Sequence, residues 1–171
     1  MNKYWIKYGL YFVFIILIQG LVMNQLQLNE YIYPMVYIMA LLLLPFETSL
    51  LASIIISLVL GVFVDMISDT FGLHTSSSLT IGYLRPYILN IIKPRDGYDN
   101  SQLPGIHDMG KKWFIIYTLI MLSIHHLWFF IFEILRFDLI DIIILKTIFS
   151  SIVSLILIVL LQYILYKPTK Q

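Results

Sequence analysis

Hydrophobic residues along this chain fall into six runs, separated by short polar or proline-containing stretches. The runs cover residues 8–23, 31–44, 50–66, 77–92, 113–135 and 142–165. A helix needs ~20 apolar residues to cross a bilayer, and fewer where the bilayer is thin. The pattern predicts six transmembrane helices forming one membrane domain over residues 1–171. The second run is short and lies between Pro34 and Pro45, so a half-inserted segment is the alternative there.

Composition strengthens the membrane interpretation. Hydrophobic residues make up 60% of the 171 positions and charged residues 12%, and the mean hydropathy is +0.88. Soluble domains carry about 25% charged residues. These values exclude a water-soluble enzyme or a nucleic-acid-binding protein. The chain has no cysteine, which excludes disulfides and thiolate chemistry. The predicted fold class is an all-α integral membrane protein.

Lysine and arginine positions predict the orientation, because cytoplasmic loops are enriched in them. A cytoplasmic N-terminus places eight basic residues on the inner side: Lys3, Lys7, Lys93, Arg95, Lys111, Lys112, Lys167 and Lys170. The outer side receives only Arg136 and Lys146. We therefore expect both termini in the cytoplasm and a multi-pass protein of the inner membrane. The first run could be a signal peptide, but no small-x-small cleavage site follows it, which favours a retained helix.

The end of the third run carries polar residues at helical spacing. Gly61, Asp65 and Asp69 recur every four residues and so share one helix face. A glycine allows close approach of a neighbouring helix, and a carboxylate near the membrane usually faces protein, water or a partner charge. Gly72 follows at a position suited to a turn. We interpret these residues as structural or partner-binding positions.

Further polar residues lie in the fourth and fifth runs. Arg85, followed by Pro86, is predicted to form an ion pair with Asp65; snorkelling to the interface and a ligand or proton pathway are the alternatives. His125, His126 and Glu133 suit interhelical hydrogen bonds or a partner-facing surface. Their spacing does not match the i,i+4 histidines of a metal helix, and no metal site is predicted. Glu47, after Pro45, is interpreted as a solvated carboxylate of a turn.

Motifs of catalysis are missing from the sequence. It has no glycine-rich phosphate loop and no Gly-x-Ser-x-Gly elbow. Arg85 and Pro86 match one piece of a lipid-phosphatase signature whose other pieces are missing. No nucleophile, base and orienting group can be assembled. We expect a non-enzymatic protein without catalytic residues or a cofactor.

Several short motifs occur in a family-like order. They are Pro45-Phe46-Glu47, Gly61 with Asp65, Asp69-Thr70 with Gly72 and His74, Tyr83 with Arg85-Pro86, and Pro94-Arg95-Asp96-Gly97-Tyr98. Together they resemble the rod shape-determining protein MreD family, in particular the form found in Bacteroidota. The resemblance covers residues 42–126, and the last apolar run carries no signature.

The resemblance implies a component of the cell-wall elongation (rod) complex that helps to maintain cell shape. Such proteins bind MreC, a bitopic scaffold, and act beside the MreB filament protein and the peptidoglycan synthesis enzymes. The implied fold is a compact six-helix bundle, similar to the substrate-binding subunit of energy-coupling-factor transporters. It carries no catalytic residues over to this chain.

The similar bundle shape leaves a second function open, that of a solute-binding membrane subunit of a vitamin or small-molecule transporter. Asp65, Arg85, His125 and His126 would then line a pocket. Against this alternative, the Ala-x-x-x-Ala motif that couples such subunits to their energising partner is absent. The basic loop at residues 93–112 is expected to contact membrane lipid headgroups.

Overall fold

Helices account for the regular structure of the chain, with one departure from the predicted pattern. The computed structural model describes residues 2–25, 29–99 and 102–165. Its α-helices are α1 (Asn2–Leu21), α2 (Met39–Leu42), α3 (Leu50–Ser68), α4 (Leu73–Ile91), α5 (Ile106–Met109), α6 (Lys111–Ile134) and α7 (Ile140–Leu165). No β-strand occurs among the described residues. The predicted all-α class is confirmed.

Within the described part of the chain, three helices are long and apolar enough to cross a membrane. They are α3, α6 and α7 with the turn before it, with mean hydropathies of 2.6, 1.9 and 2.6. In α1, residues Tyr11–Leu21 form a shorter apolar helix. Helix α4 begins at Leu73, four residues before the predicted span, and it buries polar side chains against its neighbours. The structure thus supports a membrane protein, while the spans predicted in the regions of α1 and α4 stay predictions.

The second predicted span is not a transmembrane helix, and this prediction is wrong. Only Met39–Leu42 is α-helical there, and residues 33–36 have no regular structure. We call residues 33–46 the irregular segment. Pro34 and Pro45 prevent a continuous helix, because proline lacks an N–H and restricts the residue before it. The run is apolar because it is buried in protein: the side chains from Met35 to Leu43 are each at most 9% exposed.

The irregular segment runs lengthwise through the bundle, antiparallel to α6. Its Tyr33 contacts Phe130, Tyr37 contacts His125, and Phe46 contacts Trp113. From Phe130 to Trp113, α6 extends about 25 Å, close to the ~30 Å of a bilayer core. A 14-residue helix would cover only about 20 Å. A partly extended backbone allows this short segment to pass along most of the bundle.

Helices α3 and α4 form a tightly packed hairpin through small residues. A methyl group at Gly61 would overlap the backbone of Thr75, and one at Gly82 would overlap the Ser57 side chain. The Ser53 hydroxyl donates to the carbonyl of Gly82 at 3.0 Å. Gly61 therefore faces α4 of the same chain, and its predicted role is structural rather than partner-binding.

Basic residues lie exposed at the end of the bundle where α4 ends and α6 begins, among them Lys93, Arg95, Lys111 and Lys112. Arg136 lies at the opposite end, in the turn between α6 and α7. The orientation in the membrane stays a prediction. The side chains of Lys3 and Lys7, and residues Lys167 and Lys170, lie outside the described part of the chain.

Candidate functional site

The carboxylate of Asp65 caps the first turn of α4. It accepts the backbone N–H groups of His74 and Thr75 at 3.0 and 2.9 Å, and the hydroxyls of Thr70 and Thr75 at 2.5 Å each. Gly72, the residue before α4, offers no side chain for this purpose. The first N–H groups of a helix lack partners within it and attract negative charge. Asp65, from the preceding helix, supplies both the hydrogen-bond acceptors and the negative charge.

The turn between α3 and α4 brings these groups together. Asp69 ends α3 in the left-handed conformation, with φ 54°, and Gly72 follows with φ 84°. Two such residues reverse the chain within a few positions, and glycine adopts this conformation without a steric cost. The Asp69 side chain is exposed and takes no part in the cap. Asp65, Asp69 and Gly72 thus lie in one turn with different roles.

His74 joins the Asp65 cluster. Its Nδ1 atom lies 2.8 Å from the Thr70 hydroxyl and 3.2 Å from Asp65 Oδ1, and its ring packs against Tyr37 and Phe129. The sequence motif contains His74, but His74 was not among the predicted site residues. Its position in the first turn of α4, nine residues after Asp65, is the signal that a capping argument could have used.

Arg85 does not pair with Asp65, and that prediction is wrong. Its guanidinium donates to the carbonyls of Leu44 and Pro45 and to the hydroxyl of Tyr117 at 3.1 Å. Asp65 lies beside Thr75, whereas Arg85 is ten residues further along α4, or about 15 Å. Arg85 is 1% exposed, so it does not snorkel to the interface either. It fixes the end of the irregular segment before α3.

Other helices supply further partners for the irregular backbone. Gln19 of α1 accepts N–H groups of Val36 and Tyr37 and donates to the carbonyl of Pro34. On α7, the Ser150 hydroxyl accepts the N–H of Tyr33 at 3.0 Å, and the Ser154 hydroxyl accepts the N–H of Met35 at 2.9 Å. Buried backbone groups need such partners where water is absent. Gln19, Ser150 and Ser154 were not predicted as site residues, although a polar side chain within an apolar run was a signal for each of them.

The two histidines of α6 lie inside the bundle and are fully buried. The His125 Nε2 atom lies 2.6 Å from the Tyr37 hydroxyl. His126 lies 3.4 Å from the Ser154 hydroxyl, and its Nδ1 contacts the carbonyl of Leu122 at 2.8 Å. They thus serve two different neighbours, the irregular segment and α7. Of these contacts, the one between His126 and Ser154 joins two helices, as the predicted interhelical hydrogen bonds would.

Glu133 is separated from these histidines. Its carboxylate lies 3.0 Å from the Lys146 ammonium of α7, at the end of the α6–α7 hairpin. The Lys146 side chain is 13% exposed, and its ammonium lies over the rings of Tyr33 and Phe130. In the parts of the chain that the structure describes, no three histidine, aspartate or glutamate side chains form a group suited to a metal ion.

The loop between α4 and α6 packs over one end of the bundle through aromatic residues. Tyr98 stacks on Phe46 with ring centroids 4.1 Å apart and contacts Trp113. The Tyr98 hydroxyl donates to the carbonyl of Leu89 at 2.7 Å. Burial raises the pKa of Tyr98 to about 12, so the hydroxyl stays protonated at neutral pH.

Two cavities accompany these contacts. The larger, about 530 Å³, lies between α1, the end of the irregular segment and α3, and its walls are mostly apolar. The smaller, about 340 Å³, lies at the α3–α4 turn beside Asp65 and Asp69. Neither contains the buried histidines or Arg85 among its lining residues. The predicted polar residues therefore do not converge on one pocket.

Comparison with known proteins assigns no relatives to this chain. No protein-family description, no curated protein and no solved structure matches it.

Proposed function

We propose that this chain is a non-enzymatic, multi-pass component of the inner-membrane complex for cell-wall elongation. In this role it holds a bitopic scaffold protein of the MreC type, beside an MreB-type filament and the peptidoglycan synthesis enzymes. The proposal rests on the resemblance of the ordered motifs to the MreD family. It is further supported by the positions of those motif residues, which contact one another in the structure.

The motif residues contact one another across long sequence distances. Arg85 donates to the carbonyl of Pro45, 40 residues away. Phe46 stacks on Tyr98, and Asp65 accepts hydrogen bonds from the start of α4. Each motif thus contributes to one framework that fixes the turn at Pro45, the α3–α4 hairpin and the loop over the bundle. A framework held by such long-range contacts suits a protein that positions partners.

One surface available to a partner is the outward face of α3, because the opposite face packs against α4. That outward face carries Leu51, Ile55, Leu58, Val62 and Met66, which are all exposed. Their spacing of three and four residues forms one continuous stripe. An apolar stripe of this kind suits lipid or the single helix of a bitopic protein.

Co-purification from native membranes in mild detergent tests the proposal. We expect a tagged chain to recover an MreC-like bitopic protein and wall-elongation enzymes, identified by mass spectrometry. Leu58→Trp should reduce this recovery, whereas Ile148→Trp on the exposed face of α7 serves as the matched control. Recovery of paired ATPases with a coupling membrane subunit, instead of wall enzymes, would contradict the proposal.

The transporter alternative receives less support from the polar residues that would form its pocket. Asp65 caps α4, Arg85 binds carbonyls and His125 contacts Tyr37. The irregular segment occupies the space between the helices that a solute would need. Tight, saturable binding of a vitamin by the purified chain would reverse this preference.

A further inference from the structure

A groove lies between α1 and α3, and the contacts among the motif residues give it no role. We call it the α1–α3 groove; its walls include Tyr11, Phe12, Leu44, Ile56 and Val59. Its volume of about 530 Å³ lies within the ~300–1,000 Å³ typical of ligand pockets. It lies at the same end of the bundle as the turn at Pro45.

The groove exists because α1 and α3 diverge. Near the other end of α1, Gly20 lies directly against Ile67 of α3, and a methyl group there would overlap that side chain. Eleven residues earlier, about 16 Å along the helix, a methyl group at Gly9 would meet no atom within 4 Å. The two helices therefore form a V that is closed at Gly20 and open at Gly9.

The rim of the groove is polar, although its walls are apolar. Glu47 lines the groove together with Gln102, which lies in the loop between α4 and α5. Among the described residues, no lysine, arginine or histidine forms an ion pair with Glu47. A ligand that matches this arrangement has a hydrocarbon portion and a cationic group at one end. The Gln102 carboxamide can in addition donate to ester or phosphate oxygens.

We propose that the α1–α3 groove binds one acyl chain of an aminophospholipid, with the headgroup ammonium beside Glu47. A partner helix is too large, because 15 Å of a 10 Å wide helix occupies roughly 1,200 Å³. A soluble solute is disfavoured because the walls are mostly apolar. A lipid chain has access from the side, since Ile55 and Val59 are exposed where α3 faces the surrounding membrane.

Lipid retention by the purified chain tests the proposal. The full chain is expressed in a host that contains both phosphatidylethanolamine and phosphatidylglycerol, purified in mild detergent, and its lipids are quantified by mass spectrometry. We expect one tightly held phosphatidylethanolamine per chain. Gly9→Leu places a side chain in the open groove. It should lower retention about fifty-fold, by excluding about three methylene groups.

Two further variants distinguish binding of the acyl chain from recognition of the headgroup. Val59→Trp obstructs the groove from α3 and should reproduce the loss seen with Gly9→Leu. Glu47→Gln should keep a bound lipid but weaken the preference for phosphatidylethanolamine over phosphatidylglycerol about threefold. Val13→Leu is the control, because Val13 is 55% exposed and does not line the groove.

A second readout places the lipid in the structure. Trp113 contacts Phe46, which lines the groove, so brominated acyl chains should quench Trp113 fluorescence in a Trp5→Phe, Trp128→Phe background. Gly9→Leu should reduce that quenching, and Val13→Leu should not. Equal retention and equal quenching in the parent chain, Gly9→Leu and Val59→Trp would overturn the proposal. Recovery of a peptide or soluble solute in place of lipid would do the same.

Discussion

Helix α7 and the irregular segment run along the same bundle, but their backbones are stabilised in different ways. The N–H and C=O groups within α7 pair inside the helix, so its exposed residues can face lipid at 40–50% exposure, as Ile148 and Ile152 do. The backbone of the irregular segment instead forms hydrogen bonds with the side chains of Gln19, Arg85 and Ser154, which lie on three different helices. It is therefore confined to the protein interior.

The difference has a consequence for mutational sensitivity. A helix depends on outside partners only at its ends, whereas the irregular segment depends on them along its length. Polar residues of α1, α4 and α7 that appear to belong to those helices in fact stabilise the segment. Substitutions can test this assignment directly.

The largest expected effect is at Arg85. Arg85→Met leaves the carbonyl of Leu44 without its donor, while the Pro45 carbonyl keeps those of Thr48, and should lower the free energy of unfolding by about 4 kcal/mol. Arg85→Lys should lose about half of that, because an ammonium cannot reproduce the spread of guanidinium donors. Unfolding in mixed detergent, followed by circular dichroism, measures both. Arg136→Met, at an exposed arginine, is the control; equal stability of all three variants would contradict the assignment.

Substitutions at Asp65 test the other half of the comparison, because a helix should depend on outside partners at its ends. Loss of the Asp65 cap should reduce stability, whereas a change at the nearby Asp69 should not. Asp65→Leu removes the carboxylate that accepts four hydrogen bonds at the start of α4. It should lower the free energy of unfolding by about 3 kcal/mol. Asp65→Asn should cost less, because the shape and one acceptor oxygen remain. Asp69→Asn, in the exposed position of the same turn, should leave the unfolding curve unchanged. A similar loss for Asp69→Asn would show that the turn, rather than the cap, determines stability.

Two serines of α7, three residues apart, allow a finer test of whether a side chain stabilises the irregular segment or α7 itself. Ser154→Ala removes the acceptor for the Met35 N–H and should cost about 1–2 kcal/mol. Ser151→Ala is the matched control, since its buried hydroxyl has no partner among the described residues. It should be neutral or slightly stabilising. Reversal of this order, measured in the same unfolding assay, would mean that the serines stabilise α7 itself.

The smallest effect concerns pH at the loop. The pKa of Tyr98 is raised to about 12 in the folded state, chiefly by burial, while the ordinary value in an unfolded chain is about 10. The stabilising contribution of this hydroxyl is complete below pH ~10 and is lost as the pH rises towards ~12. Tyr98→Phe should reduce the alkaline loss of stability. An unchanged pH profile between pH 9 and 12 would contradict it.

Parts of the site could be predicted from the sequence where local geometry decides them. The helical spacing of Gly61 and Asp65 places both on one side of α3, and Gly72 suited the turn. Asp69 was predicted on the same face, but α3 ends before it and its side chain is exposed. The partner of Arg85 could not be predicted this way. Its carbonyl acceptors belong to a segment 40 residues away, and a carbonyl carries no residue-specific signal. Gln19, Ser150 and Ser154 were missed for the same reason, because their partners are backbone groups.

The sequence by itself determined that this is an all-helical, membrane-suited chain, because an apolar surface of this extent cannot face water and hydrogen-bonded helices satisfy the backbone in lipid. It also determined the chain reversals at Pro45 and Gly72 through backbone restriction and freedom. The tertiary structure alone decided whether each apolar run faces lipid or protein. Residues 31–44 have the composition of a span in either case. Only the donors and acceptors of α1, α4 and α7 allow them to leave the helical conformation and remain buried.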